Sequence, residues 1–193
     1  MKNIILIDYE NLQIRNLDLL YNLDSEICVF TGPMQKNYSA ELVQSAQKFG
    51  ERLKWIPTSR AGSNALDFHI AYYLGQMSLC MPKPFFHIIS KDKGFDALID
   101  FMKSKGLFID RVISVEDIPL VKKMTEIGND PVGFIKNKIL NVSKPGKLKT
   151  LQSAIKKWLE SSDEKAVNEI IESLKKKDFL SIDANDKVIY MDD

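Results

Sequence analysis

The feature that most constrains the fold is the alternation of short apolar runs with helix-like segments over the first 114 residues of this 193-residue chain. The apolar runs resemble buried strands and are residues 4–7, 27–30, 53–56, 85–89 and 108–113. The helix-like segments between them are residues 12–23, 40–49, 65–77 and 95–105. Continuous apolar strands that alternate with helices predict an α/β domain, with a mostly parallel central sheet between two helical layers.

The character of the chain changes after residue 115. Asp130 is predicted to cap a helix that has Pro131 at its first position. A second helix is predicted from Leu148 to Leu159, and Ser162 or Asp163 is predicted to cap a third.

The C-terminal segment LSIDANDKVIY (residues 180–190) predicts a β-hairpin. Three helices followed by a hairpin resemble a small winged-helix module. The predicted domains are therefore residues 1–125 and residues 130–193.

Composition indicates a soluble globular protein, because 45% of the residues are hydrophobic and 27% are charged. Cys28 and Cys80 form no C-x-x-C pair, which gives no zinc or disulfide framework and suits a reducing compartment. The apolar run at the N-terminus stops at Asp8, too soon for a signal peptide or a membrane span. These features predict a cytoplasmic protein.

Acidic residues stand where the predicted strands and helices end or begin. Asp8 ends the first strand, and Asp92 follows the strand at 85–89. Because the carboxyl ends of parallel strands share one edge of a sheet, both acids are expected at the same crevice. Asp67 lies beside the packing face of its helix and can look toward that edge, and Asp96 could complete the group.

Each acid also has a purely structural explanation. Asp8 could form an Asx turn or cap a helix. Asn64 and Asp67 have capping-box spacing, while Asp92 and Asp96 suit the cap and the first turn of a helix. The sequence leaves these alternatives open.

A cluster of carboxylates needs a compensating cation. Two carboxylates about 5 Å apart repel each other by roughly 3 kcal/mol at an effective dielectric constant of about 20. Ligands that are all oxygens favour Mg²⁺ or Mn²⁺ over zinc. His69 and His87 lack the spacing of a zinc pair and are interpreted as structural residues. A cation held in this way can activate water and shield a phosphodiester, as in metal-assisted nucleases.

Three motifs carry a resemblance to a known family. IDYEN (7–11), SNALDFHIAYYLG (63–75) and FHIISKDKGFDALI (86–99) resemble the PIN-like nuclease superfamily, in particular its bacterial PIN-like and NYN branch, and FTGPMQK (30–36) is also similar. The resemblance covers residues 1–114 and implies a PIN-like three-layer fold with Mg²⁺- or Mn²⁺-dependent ribonuclease activity. Some members of the superfamily act on structured DNA.

Motif by motif, the resemblance also implies roles for single residues. Asp8 corresponds to the metal-binding acid of the first strand, with Asn11 as its polar companion. Asp67 corresponds to the helix acid and Asp92 to the acid after the fourth strand. The sequence departs from the family at Gly94, where many relatives have a second acid, and Asp96 is the candidate substitute.

Polar residues around these acids are candidates for substrate binding, although each could simply face solvent. Arg60 lies in a loop before a helix N-terminus, where anions bind readily. The full set of candidates is Asn11, Gln35, Lys36, Arg60, Asn64, Ser90, Lys91 and Lys93.

A basic segment precedes the third C-terminal helix. Residues 131–160 contain seven lysines and one acid, a local charge of +6 in a chain of net charge +1. Such a segment can be an ordinary solvated face, or it can attract phosphates. The candidates for nucleic-acid contact are Lys144, Lys147, Lys149, Lys156 and Lys157.

These observations favour a metal-dependent endonuclease that acts on RNA rather than DNA, with no membrane partner and with homodimer formation as a further expectation. The alternative is a catalytically silent nucleic-acid-binding or regulatory protein with the same fold, which Gly94 favours. A receiver-like signalling domain is disfavoured, because the third predicted strand ends in WIPTSR, without the acid that such a domain phosphorylates.

Overall fold

The structure is a computed structural model that describes residues 2–62 and 64–191. The chain divides into two compact units, Met1–Lys122 and Lys123–Asp193. Within the described residues, no helix is both long enough and apolar enough to cross a membrane.

The first unit contains a five-stranded sheet in which every neighbouring pair of strands is parallel. Its strands are β1 (Asn3–Asp8), β2 (Ser25–Thr31), β3 (Leu53–Pro57), β4 (Phe85–Ile89) and β5 (Phe108–Val112). They lie in the order β3-β2-β1-β4-β5. The predicted parallel α/β fold is confirmed.

Helices cover both faces of the sheet, and this explains the continuous apolar strands. The helices of this part of the chain are α1 (Ala40–Gln47), α2 (Ala65–Cys80), α3 (Phe95–Ser104) and α4 (Pro119–Asn129). Successive side chains of β1 alternate between two cores, so Ile5 and Ile7 pack with the α1 side while Ile4 and Leu6 pack with the α2 and α3 side. Both sets of side chains are buried, so the strand has no polar face.

The predicted helix at residues 12–23 is wrong. This segment is an irregular loop with a single 3-10 turn at Asp18–Leu20. Its backbone donors bond to side chains, because the Asn16 carboxamide oxygen accepts from the Asp18 N–H at 2.6 Å and the Ser45 hydroxyl accepts from the Leu17 N–H at 3.2 Å. Leu17 and Leu20 are nevertheless fully buried, so their helix-like spacing serves the core without a helix.

The buried His87 is expected to make the stability of the chain depend on pH. Its ring is buried in β4, stacks on Phe85 at 4.5 Å, and donates from Nε2 to Asn3 Oδ1 at 3.1 Å, while Nδ1 has no hydrogen-bond partner among the described residues. Burial lowers the pKa of His87 to about 4.

We expect the chain to lose stability as pH falls from neutrality toward 4. The unfolded histidine, with its ordinary pKa of 6.5, takes up a proton before the folded one does. This contribution is present above pH 6.5 and is lost as pH falls through the folded value, by roughly 3 kcal/mol. Urea unfolding of His87→Gln should show a correspondingly flatter pH dependence between 7 and 4. An equal dependence in both proteins would contradict the assignment.

The described part of the second unit contains the three predicted helices and the predicted antiparallel hairpin, together with most of α4. The elements are α5 (Pro131–Asn141), α6 (Leu148–Leu159), α7 (Glu164–Lys176), β6 (Leu180–Ile182) and β7 (Val188–Tyr190). Asp130 caps α5 by accepting from the Gly133 N–H at 2.8 Å, and Asp163 caps α7 by accepting from the Lys165 N–H at 2.9 Å. The sequence analysis does not predict α4, which runs through residues 126–129 between the two predicted domains. The winged-helix resemblance stays a prediction.

Candidate functional site

The candidate site lies at the carboxyl ends of β1 and β4, which are neighbours in the sheet. From β1 the chain proceeds to β2 and β3 on one side, whereas β4 and β5 lie on the other. Such a reversal of strand order opens a crevice where ligands bind in α/β proteins. Ile7 pairs with Ile89, which brings the next residues, Asp8 and Ser90, side by side.

Asp8 is held rigidly in this crevice. Its side chain is fully buried, and its Oδ2 accepts from Ser90 Oγ and from Asn11 Nδ2, both at 2.7 Å. Its Oδ1 accepts from the Asn11 N–H at 3.2 Å. This bond to the N–H three residues on shapes the turn after β1, although it is not the expected Asx turn, which would use the N–H two residues on. A carboxylate has about four acceptor positions, which leaves capacity for another ligand.

Asp92 stands beside Ser90 and has a defined orientation. The Asp92 N–H donates to Ser90 Oγ at 3.0 Å, and the Gly94 N–H donates to Asp92 Oδ1 at 2.7 Å. A Cβ built on Gly94 would lie 3.1 Å from Asp92 Oδ1. The absence of a side chain at position 94 thus leaves room for the Asp92 carboxylate in this turn.

Asp67 belongs to the same group of acids. It is half-buried in the first turn of α2. Burial raises its pKa, and the negative charges of Asp8, Asp92 and Glu10 raise it further. The capping-box explanation does not hold for the Asn64 side chain, which makes no capping hydrogen bond to α2.

Glu10 is a neighbour of these acids that the sequence analysis did not include. A Cβ placed on Gly32, in the loop after β2, would lie only 2.7 Å from Glu10 Oε2. Gly32 therefore leaves the space that the Glu10 carboxylate fills. The sequence signal was an acid two residues beyond the end of β1, inside the quoted motif IDYEN.

Asp96 has a different environment from the one expected. Arg111 of β5 holds both of its carboxylate oxygens, with Nε to Oδ1 at 2.7 Å and Nη2 to Oδ2 at 3.1 Å. This pairing holds the pKa of Asp96 below its ordinary value. Asp96 is thus engaged in an ion pair with Arg111, and its role as a fourth metal ligand stays a prediction.

Arg111 itself was missed by the sequence analysis. Its Nη1 donates to the Ser90 carbonyl at 3.2 Å, and the charge of Asp92 helps to raise its pKa, after the larger effect of its hydrogen bond with Asp96. Arg111 thus holds in place the backbone segment that contains Ser90 and Asp92. Only the pairing of β5 with β4 brings it there, with Arg111 opposite Ile88.

The candidate substrate-binding residues differ in their availability. Ser90 is buried against Asp8, and Asn11 uses its amide to orient the same carboxylate. Gln35 donates from Nε2 to the Asn37 carbonyl at 2.5 Å. Lys36, Arg60, Lys91 and Lys93 have exposed side chains, and Asn64 is exposed as well but already takes part in another interaction.

The residues of this site fit a hydrated divalent cation better than a fully protein-enclosed one. In the described part of the chain, no three acidic, histidine or cysteine side chains are arranged to surround a metal ion directly. The buried Asp8 and the repulsion that acts on Asp67 nevertheless mark a concentration of negative charge with oxygen donors alone. Mg²⁺ commonly keeps several waters and binds through one or two carboxylates.

The match to a protein family agrees with this architecture. Neither a curated protein nor a solved structure matches the chain. A family model described as the PIN domain matches residues 2–112, more than half of the chain and nearly all of the unit that carries the sheet and its strand-end acids. The chain therefore belongs to the PIN-domain family.

Proposed function

We propose that this chain is a metal-dependent endonuclease that hydrolyses phosphodiester bonds in RNA. PIN domains are generally nucleases that use Mg²⁺ or Mn²⁺, so nuclease chemistry is the family's usual activity. The observation that carries the proposal is the group of Asp8, Asp67 and Asp92 around the switch point of the sheet, with Glu10 beside it.

In this proposal the side chain of Asp8 has a fixed orientation, whereas those of Asp67 and Asp92 can move toward a ligand. Asp8 is oriented by Ser90 and Asn11 and cannot turn away from the crevice without breaking three hydrogen bonds. Asp67 and Asp92 are partly exposed and can approach a shared cation. A divalent cation bound there would supply Lewis-acid activation of water and of the phosphodiester. The expected products carry a 3′-hydroxyl and a 5′-phosphate, as the family resemblance implies.

An aromatic cavity beside β3, an outer strand of the sheet, supports a single-stranded substrate. Tyr38 contacts Tyr9, the residue after Asp8, in a tilted arrangement with ring centroids 5.6 Å apart, and packs edge-on against Trp55 at 4.9 Å. Tyr38 and Trp55 line a cavity of about 590 Å³ that has no charged residue in its lining. An uncharged aromatic surface suits the face of an unpaired nucleobase, which stacks on such side chains regardless of sequence.

The basic segment offers a second support for nucleic-acid binding. Lys149 and Lys156 stand seven residues apart on α6 and so share the face opposite its buried Leu151 and Ile155. Lys157, the next residue, is exposed. Lys156 also forms an ion pair with Glu164 at 2.8 Å. Lys144 lies over the ring of Tyr190.

We expect the triple variant Lys147→Gln, Lys149→Gln, Lys157→Gln to bind RNA with a weaker salt dependence. Each lysine that neutralises a phosphate contributes about 0.7 to the slope of log affinity against log salt for a single strand, so the slope should fall by roughly 2. Fluorescence anisotropy over a series of salt concentrations measures this slope. A matched control replaces Lys175, Lys176 and Lys177 at the end of α7. Equal slopes for the unsubstituted chain and the triple variant would assign the segment to protein contacts or solvation.

The proposed activity is tested by incubation of the chain with labelled RNA and DNA oligonucleotides. We expect RNA cleavage with Mn²⁺ or Mg²⁺ and none in EDTA, because the candidate donors are all oxygens. Full cleavage in EDTA would contradict the metal mechanism.

A catalytically silent RNA-binding protein is the second candidate. It is favoured by Gly94 and by the lack of a closed three-ligand arrangement in the described residues. RNA binding without cleavage in Mn²⁺ would support it against the nuclease.

A further inference from the structure

Helix α2 has an apolar face that the other described residues of its unit leave uncovered. Its buried face, with Leu66, Ile70 and Leu74, packs against the sheet. The opposite face exposes Phe68, Tyr72 and Leu79, with 70%, 65% and 89% of their surfaces accessible. Large apolar side chains of a surface helix normally face the core, and polar residues occupy the opposite face. We define Phe68, Tyr72, Gly75 and Leu79 as the α2 stripe.

The residues of the α2 stripe form one continuous line. Their spacing of four, three and four residues keeps them within roughly 60° of arc at 100° per residue. The stripe contains no charged residue, and its flanks carry Ala71, Gln76 and Ser78. This composition offers nothing to a phosphate backbone and suits another apolar surface.

Gly75 has no packing reason among the described residues of its unit. A Cβ placed there would meet no atom within 4 Å, and its φ lies outside the left-handed region that favours glycine. Glycine inside a helix destabilises it relative to almost any other residue. Its position in the centre of the stripe nevertheless creates a gap beside the large, exposed ring of Tyr72, which packs edge-on against Tyr73 at 5.7 Å.

The stripe is complementary to itself in the antiparallel direction. When two copies are related by a two-fold axis midway between residues 73 and 74, position 68 faces 79 and position 72 faces 75. Tyr72 of each copy then fills the gap at Gly75 of the other, and Phe68 covers Leu79. This is the reciprocal contact that a two-fold interface requires, and antiparallel helix dipoles favour it.

We propose that the α2 stripe is the interface of a homodimer in which two α2 helices pack antiparallel, with Tyr72 inserted opposite Gly75. The three large side chains expose roughly 400 Å² per chain, which with the flanking residues reaches the lower range of specific interfaces. A dimer of micromolar affinity is therefore expected. Asp67 lies about 100° around the helix from Phe68, so the interface leaves the crevice open.

Sedimentation equilibrium of the full chain tests the interface. We expect a reversible monomer–dimer equilibrium with a dissociation constant below roughly 100 μM. Gly75→Leu should weaken association at least about 30-fold, because the leucine side chain takes the space of Tyr72 at both of the symmetric contacts in the dimer. The same variant should melt a few degrees higher under monomeric conditions, because leucine favours helix. Gly128→Leu, at an open glycine of α4, is the matched control and should leave the association unchanged.

Exchange of the large and small residues is the sharper test. Tyr72→Ala alone should weaken the dimer, whereas the double variant Tyr72→Ala, Gly75→Leu should recover association because leucine then faces alanine across the axis. A double variant no tighter than Gly75→Leu alone would overturn the antiparallel arrangement. A chain that stays monomeric at all concentrations, or a dimer that Gly75→Leu does not weaken, would assign the stripe to another partner and overturn the proposal.

Discussion

The Asp92→Asn variant is expected to cleave RNA about 100- to 1,000-fold more slowly than the unsubstituted chain, the effect of removing one preorganised electrostatic contact from a reacting centre. Asparagine keeps the size of the side chain, and its Oδ1 can still accept from the Gly94 N–H. The turn before α3 should therefore persist while one negative charge leaves the group around Asp8.

Asp96→Asn is the matched control, since it removes the same charge four residues later. Because Arg111 already holds Asp96, we expect less than about a tenfold loss of cleavage. The two variants are compared by their initial rates of RNA cleavage at saturating Mn²⁺, with a melting curve for each. An active Asp92→Asn protein would mean that Asp92 serves only its turn, and a greater loss in Asp96→Asn would place the cation near Arg111.

The second large effect is expected at Asp67, where activity and stability should change in opposite directions. Asp67→Asn should abolish most cleavage, yet it should raise the melting temperature in the absence of divalent cations. The reason is that burial and the charges of Asp8, Asp92 and Glu10 all oppose ionisation of this carboxyl group.

The gain in melting temperature should depend on pH with a defined sign. The pKa of Asp67 is raised in the folded chain, so the folded state holds the proton more tightly than the unfolded state does. Its favourable contribution is complete below the ordinary value of 3.8 and is lost as pH rises through the folded value. The difference between Asp67→Asn and the unsubstituted chain should thus be small near pH 3 and larger at neutral pH.

Divalent cations should make the unsubstituted chain more stable than Asp67→Asn, which is the reverse of the order expected without them. A cation that binds only the folded chain raises its melting temperature by mass action, and Asp67→Asn should gain less from Mn²⁺. Asp100→Asn, at an exposed position of α3, is the control for a simple change in net charge. An unchanged melting temperature of Asp67→Asn at neutral pH, together with an undiminished response to Mn²⁺, would remove Asp67 from the site.

The sequence by itself determined the sheet and the place of its first acids. A strand buried on both faces is apolar at most positions instead of alternating, so β1 and β4 could be recognised without knowledge of their partners. Asp8 and Asp92 follow from the same pattern, because residues after parallel strands emerge at one edge. The caps Asp130 and Asp163 were also predictable, since a cap depends on residues only two or three positions away.

Tertiary structure decided whatever depends on contacts between distant segments. The leucines of residues 12–23 have helical spacing, but Ser45 of α1 bonds to the backbone of this segment and the core accepts the leucines from a loop. Asp96 differs from Asp92 only because β5 pairs with β4 and delivers Arg111 to its carboxylate. Likewise, the large apolar residues of α2 lie on more than one face of the helix, and only the tertiary structure shows that Phe68, Tyr72 and Leu79 remain exposed. Local periodicity fixes which residues can share a face, whereas the burial and pairing of that face depend on what the fold brings against it.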